Sequence, residues 1–372
     1  MKLVVMQNDL NKALGIVGRV VPNRGQLPVL ANVLLEADKE GMKIAATNLE
    51  IGLRVSIGGK TSEDGQITVP ARNFSEFVAS LPSGNVVLES ENEKLKVQGG
   101  KLSATFTGIA ASEFPVMPKI ENIGSGSKLL KLKKQQILRM ASHVAMAAAS
   151  DESRPVLTGV LFTFGDGKTL VTATDGFRLS RQAITDIEMK GLEKGLIVPS
   201  RTITEMAKIV SEGKKEEVVL GIASESNQIV MEYDSVEMMS RILEGNFPDV
   251  NKIIPTDFKT ELTADKEDLL RAVKAAGIFA KDSANVVRFK IQDGLMVVSS
   301  SSSQTGESET EVEIDKKGDD SQIAFNYRYV LEFLNNIEGE RILFKMNESL
   351  TPGVFEIEGD LGLIHLIMPV RI

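Results

Sequence analysis

RPVLTGVLFTF at 154–164, followed by TDGFRLS at 174–180, repeats LPVLANVLLEA at 27–37 and TNLEIGL at 47–53 at one fixed offset of 127 residues. A third, more diverged copy stands another 127 residues on, where Val287, Arg288 and Phe289 take the places of Val160, Leu161 and Phe162. A second element recurs in the same order: VPARNFSEFVASLP at 69–82, VPSRTITEMAKIVS at 198–211 and FNYRYVLEFLNNI at 325–337. Solenoid units span about 20–50 residues, so a period this long is domain-sized. The 372 residues divide into three units, each large enough to close its own hydrophobic core.

Outward from these copies, each unit opens on a helical stripe. Leu10, Ala13, Leu14 and Val17 share one face, as do Ile137, Met140, Ala141 and Val144, and then Leu269, Leu270, Val273 and Ala276. Strand patterns follow at 29–35, 43–47, 156–164 and 169–174, with Gly165-Asp166-Gly167 as a turn signal. The second helix of each unit starts beside Arg72, Arg201 or Arg328. Helices are expected at 8–21, 70–80, 131–149, 200–213, 265–281 and 326–338. Two helices and several antiparallel strands per unit predict an α+β fold with helices on one face of the sheets. The Gly/Ser run at 121–127 and the Pro255 segment at 250–259 read as linkers, giving expected domains 1–122, 128–249 and 257–372. The serine run 299–303 aligns with a strand end of the second unit and is read as strand and loop.

Apolar residues make up 42% and charged residues 25%, which favours neither disorder nor a membrane protein. The early apolar run 3–6 is too short for a signal sequence or a spanning helix, so the cytoplasm is the expected location. Cysteine is absent, which excludes disulfides, thiol nucleophiles and thiolate metal sites. The net charge of −8 argues against a nucleic-acid partner until its distribution is considered. The six expected helices carry +1, 0, +4, 0, +1 and −1, a total of +5, and everything else is strongly acidic. Mildly basic helices beside acidic strands and loops suit a molecule that turns one face to nucleic acid and another to solvent.

Catalytic chemistry finds little support. The two histidines, His143 and His365, have no partner at metal-ligand spacing, and phosphate-cradling, dinucleotide and nucleophile-elbow motifs are missing. No cofactor is expected. Asp175 is the one acid placed to suggest a general base, but it opens an Asp-Gly turn followed by Arg178, which reads as a tight turn with a local ion pair. An enzyme using Asp175 and Arg178, and a monomeric protein gripping DNA by charge alone, are the rival readings.

TDGFRL at 174–179, GNFPD at 245–249, VPAR at 69–72 and MPVRI at 368–372, in this order and spacing, resemble the bacterial DNA polymerase III beta subunit, the replicative sliding clamp. The resemblance runs from Met1 to Ile372. It implies three tandem copies of the DNA clamp fold per chain and a head-to-tail homodimer, closed as a six-domain ring with helices lining the hole. It further implies a non-enzymatic processivity factor whose partners are duplex DNA, the DNA polymerase III catalytic subunit, the clamp loader complex and other clamp-binding-motif proteins.

By matching position, the resemblance assigns Arg24, Arg72, Arg154 and Arg201 as DNA-facing, with Lys12, Lys134 and Arg139 as further helix candidates. A partner-peptide pocket between the second and third domains maps to Leu157, Thr174, Gly176, Phe177, Arg178, Leu179, Pro248, Lys252, Ile253, Asn326, Tyr329, Leu366, Met368, Pro369, Val370 and Arg371. The chain departs from the common family pattern at Phe177, often His or Tyr, at Lys252, often Arg, and at Val370, often Met. For the subunit contact, the strand 103–107 is expected to pair with an edge of the third domain, Phe77 and Phe106 meeting Ile278 and Phe279, with Glu307, Glu309 and Glu311 flanking.

Overall fold

The structure is a computed structural model that describes residues 1–22, 27–117, 128–165, 167–185, 195–223, 227–360 and 362–371. Arg24, the 121–127 linker and Asp166 lie outside the described residues. The first repeat holds strands β1 (Lys2–Met6), β2 (Asn32–Asp38), β3 (Gly41–Thr47), β4 (Ile51–Ile57), β5 (Gly59–Glu63), β6 (Gly65–Pro70), β7 (Asn85–Glu91), β8 (Lys94–Gly99) and β9 (Leu102–Thr107). Its helices are α1 (Gln7–Val17) and α2 (Ala71–Ser80). The second repeat holds β10 (Lys128–Lys133), β11 (Gly159–Gly165), β12 (Lys168–Thr174), β13 (Arg178–Thr185), β14 (Leu196–Pro199), β15 (Glu217–Ala223), β16 (Gln228–Tyr233) and β17 (Val236–Arg241). Its helices are α3 (Lys134–Arg139) and α4 (Ser200–Glu212). The third holds β18 (Thr260–Asp265), β19 (Val286–Gln292), β20 (Leu295–Ser302), β21 (Gly306–Gly318), β22 (Ser321–Asn326), β23 (Arg341–Met346), β24 (Gly353–Ile357) and β25 (Leu363–Ile367), with α5 (Lys266–Ala280) and α6 (Tyr327–Asn336).

Two compact units result, Met1–Lys134 with Glu205–Ile242 and Gln135–Thr204 with Leu243–Ile372. The first contains a sheet in the order β5-β1-β7-β8-β9 and another in the order β10-β15-β16-β17-β4-β3-β2-β6. The second contains one sheet, β14-β11-β12-β13-β25-β24-β23-β18-β21-β20-β19-β22. Sheets thus run across repeat boundaries, through β17 against β4 and through β13 against β25, both antiparallel. Main-chain ladders of this kind join repeats that sequence alone presents as separate beads.

Local chemistry accounts for the elements. Asp265 caps α5 by accepting the Asp268 N–H at 2.9 Å, and Asn326 caps α6 through the Arg328 N–H at 3.0 Å. The expected stripe Leu269, Leu270, Val273 and Ala276 is buried. In the third repeat it packs into a core with Phe289, Phe325, Phe333, Phe344 and Phe355, whose rings meet edge-on or tilted.

Two expectations need correction. Pro28 and Pro155 start short 3-10 turns, Pro28–Ala31 and Pro155–Thr158, so the strands expected from 29 and 156 begin only at Asn32 and Gly159. The helix expected at 131–149 is broken. Residues up to Lys133 belong to β10, and after α3 the backbone slips into a π-turn at Met140–Val144 and a 3-10 turn at Ala145–Ala147. The serine run is strand end and loop as expected: 299–302 close β20, with Ser300 and Ser302 buried, and Ser303 opens the following turn.

Candidate functional site

The repeated turn after β12 builds the site. Thr174 Oγ1 donates to the Arg178 carbonyl at 2.6 Å and accepts the Gly176 N–H at 3.1 Å. Asp175 Oδ1 accepts the N–H groups of Phe177 and Arg178 at 2.8 and 2.9 Å. Gly176 takes φ +91, a left-handed conformation that glycine adopts without a side-chain clash. Closing the turn this way leaves Phe177 65% exposed and drives Arg178 inward.

Arg178 then ties three elements together. Its Nε donates to Asp175 Oδ2 at 3.1 Å, Nη1 to Glu332 Oε2 on α6 at 2.7 Å, and Nη2 to the Met146 carbonyl at 2.6 Å. Met146 lies in the closing 3-10 turn, where the Ala148 and Ala149 N–H groups go to the Ala145 and Leu157 carbonyls, which leaves the Met146 carbonyl to accept from Arg178. The guanidinium also lies over the Tyr329 ring, 4.7 Å from its centroid. A buried arginine needs such paired and hydrogen-bonded surroundings. Burial pushes the Tyr329 phenol above its usual range, and nearby Asp175 adds to the shift.

A cavity of about 680 Å³ opens beside this keystone, lined by Leu157, Gly176, Phe177, Arg178, Tyr329 and Glu332, with Arg154 among the lining residues. Leu179 and Leu366 are fully buried and pack with Val250 and Val354, so they support the site from within the core. Met368 is bound to the turn through its N–H to the Phe177 carbonyl at 2.8 Å, and its side chain stays 38% exposed. Pro369 and Val370 are half-buried and Arg371 is exposed. Pro248, Lys252 and Ile253 lie exposed on a segment joined to the same apolar cluster through Val250, and Asn326 serves as the α6 cap. Sequence reading missed Met146 and Glu332. Glu332 carries a signal, since it lies one turn after Tyr329 on the same helix face; Met146 contributes only backbone and carries none.

Beneath the turn, Ser180 Oγ donates to the His143 carbonyl inside the π-turn. His143 Nδ1 lies 3.1 Å from Gln182 Oε1 and burial lowers its pKa. His365 stacks on Phe333 at 4.6 Å, and burial, helped by Arg178, pushes it down to about 3. Both histidines are therefore neutral structural groups, and no cluster of metal-ligating side chains occurs among the described residues.

The basic candidates differ in availability. Lys12, Arg72, Arg154 and Arg201 are exposed, Arg72 with an ion pair to Glu76 at 3.0 Å. Lys134 Nζ donates to the Gly213 carbonyl at 2.9 Å, just past the end of α4, and Arg139 lies 3.9 Å from Asp360. In the first repeat, Phe77 and Phe74 pack edge-on against Phe106 of β9, and β9 has β8 on one side and no strand on the other among the described residues. In the third repeat, residues 306–313 of β21 pair with β20, while 314–318 pair with β18. The first stretch, carrying exposed Glu307, Glu309 and Glu311, thus has an open edge among the described residues. Ile278 on α5 is 63% exposed, and Phe279 is half-buried.

A triplicated α+β chain with sheets continuous across its repeats and a cavity at the second–third junction defines the DNA clamp class. Over its whole length it superposes on 99% of the crystal structure of the DNA polymerase sliding clamp from Bacillus subtilis, with a TM-score of 0.92 and 25% identity. It is also 27% identical to the beta sliding clamp of Chlamydia muridarum over 374 residues, covering 100% of this chain and 99% of that one. A further relative, the beta sliding clamp of Synechococcus elongatus, is 28% identical over the full length of both chains. Models of the N-terminal, central and C-terminal domains of the DNA polymerase III beta subunit match residues 1–118, 131–249 and 251–371. The chain belongs to the DNA polymerase III beta subunit family, the sliding clamps, which are non-catalytic processivity factors of DNA polymerase.

Proposed function

We propose that two copies of this chain close head to tail into a six-domain ring around duplex DNA and that partner peptides enter the cavity beside Phe177 and Arg178. The domains of that ring are 1–122, 128–249 and 257–372. The observation that carries the ring is the pair of open strand edges, β9 in the first repeat and residues 306–313 of β21 in the third. Unpaired edges invite a second strand, and a contact between unlike surfaces of two copies closes a ring when its rotation closes. Phe77, Phe106, Ile278 and Phe279 supply apolar surface for that seam, and the three glutamates its rim.

Arg24, Lys12, Arg72, Lys134, Arg139, Arg154 and Arg201 face the DNA in this reading. Each neutralised phosphate contributes a slope of about −0.9 in log affinity against log salt, so a few such side chains give a weak, salt-sensitive grip and retention is topological. The pocket residues receive peptides of the polymerase III catalytic subunit, the clamp loader and other clamp-binding proteins. The ring works in the cytoplasm; no helix among the described residues is long and apolar enough to cross a membrane.

Loading the protein with its loader onto a nicked circle and then linearising the circle tests the ring. The expected outcome is rapid loss from the cut DNA at a salt concentration that spares the circular complex. Retention on the linear form at high salt contradicts it.

A further inference from the structure

One edge strand in each repeat receives the segment that follows the repeat's last strands. Thr68 of β6 bridges Ile109, Ile197 of β14 bridges Leu243, and Ala324 of β22, at the matching position, accepts the Val370 N–H at 2.8 Å. In the first repeat the exchange is reciprocal, with Thr68 and Ile109 donating to each other at 3.3 Å. At Ala324 it is one-sided. Among the described residues β22 is the last strand of its sheet and has β19 as its one strand partner. Antiparallel ladders turn alternate residues to each edge, so if Ala324 points outward, Gln322 offers its N–H and C=O on the same side.

That edge is the wall of a groove of about 750 Å³, with Met346 and Ile323 buried in it and Leu350, 58% exposed, and Val370 at its opening. Its carboxylates are already answered: Asp320 is paired with Lys316, and Glu348 with Lys259 at 2.9 Å. Charge therefore does not choose the occupant, and the unpaired backbone does. The 368–370 segment runs from the pocket's turn to this edge, with Met368 bonding the Phe177 carbonyl at one end and Val370 bonding Ala324 at the other.

We propose that the β22 edge is a strand-addition site for the residues flanking a pocket-bound partner peptide. The occupant is an extended, proline-free segment that pairs with the Gln322 main chain and lays an apolar side chain against Leu350 and Val370. This rests on the peptide reading of the pocket. Recognition through backbone groups makes the flank tolerant of sequence but intolerant of blocked amides.

The test uses the shortest segment of the same organism's polymerase III catalytic subunit that binds the intact protein, and the same segment lengthened by five native residues at each end. Fluorescence anisotropy is expected to show the long peptide binding about tenfold more tightly, the worth of one or two added hydrogen bonds. N-methylation of alternate flank amides removes the gain without altering the protein, and Gln322→Pro removes it while leaving the short peptide unchanged. Equal affinity of the two lengths overturns the proposal, as does a gain that survives N-methylation. If no segment binds, the pocket reading itself fails and the strand-addition site falls with it.

Discussion

The turns at 47–53 and 174–180 are the same object built twice. In the first, Thr47 Oγ1 donates to the Ile51 carbonyl and accepts the Leu49 N–H, each at 3.0 Å, and Asn48 Oδ1 accepts from Glu50 and Ile51 at 3.0 and 2.8 Å. The second repeats every one of these bonds with Thr174 and Asp175. Only the side chains differ. Ile51, 1% exposed, stands where Arg178 gathers Asp175, Glu332 and Met146, and Gly52 stands where Leu179 supports the pocket. A Cβ on Gly52 would lie 2.7 Å from Met117 Cε and 2.9 Å from Met239 Cγ. Two methionines therefore fill the first repeat's counterpart of the supporting leucine. A hydrogen-bonded turn is a neutral scaffold, and the side chains set on it decide whether it becomes core or site.

The largest break in this comparison is Arg178→Ala. It strands the carboxylates of Asp175 and Glu332, and the expected outcome is a loss of about 3 kcal/mol in denaturant unfolding together with loss of peptide binding. Arg178→Lys is not expected to rescue it, because an ammonium cannot reach three acceptors while covering Tyr329. Next comes Gly52→Leu, which carries the second repeat's residue into the first. Overpacking against Met117 and Met239 is expected to cost about 2 kcal/mol, with Met117→Ala recovering part of it in a double-mutant cycle.

A third difference is ionic. Leu53 stands in the place of Ser180, whose strand partner is His365. His365 has a folded pKa of about 3 against about 6.5 unfolded, so the unfolded chain takes up the proton first. Its contribution is whole above pH 6.5 and is lost as pH falls from there towards 3. The loss is roughly 1 kcal/mol at pH 5.5. Chemical denaturation at pH 8 and 5.5 measures it, and His365→Phe should remove this part of the slope. His143, also lowered by burial, adds slope of the same sign, which the double variant removes. The smallest effect is Leu49→Gly. Leu49 holds φ +75 where the second turn has glycine, and relief of that strain, set against glycine's extra chain entropy, should raise stability by about 0.5 kcal/mol.

The triplication, the α+β class and five of the six helices were legible because apolar side chains repeat at helical and strand periods. The Asp175–Arg178 contact was legible from spacing alone. Its completion was not, since Glu332 lies 154 positions from Arg178 and the third partner is a carbonyl at Met146. The π-turn was hidden for a similar reason: 131–149 has a good helical stripe, and the break shows itself in distant bonds such as that from the Ser180 hydroxyl to the His143 carbonyl. Lys134 read as an open charge because nothing in its neighbourhood of sequence reveals the Gly213 carbonyl.

On the proposed function, one turn of the matched pair has become a docking site in a ring of two chains. Native mass spectrometry with the polymerase peptide in excess tests both halves at once. The expected species is a complex of two chains and two peptides, reduced to two bare chains by Phe177→Ala. Two peptides per chain, or a single chain carrying one, contradicts it.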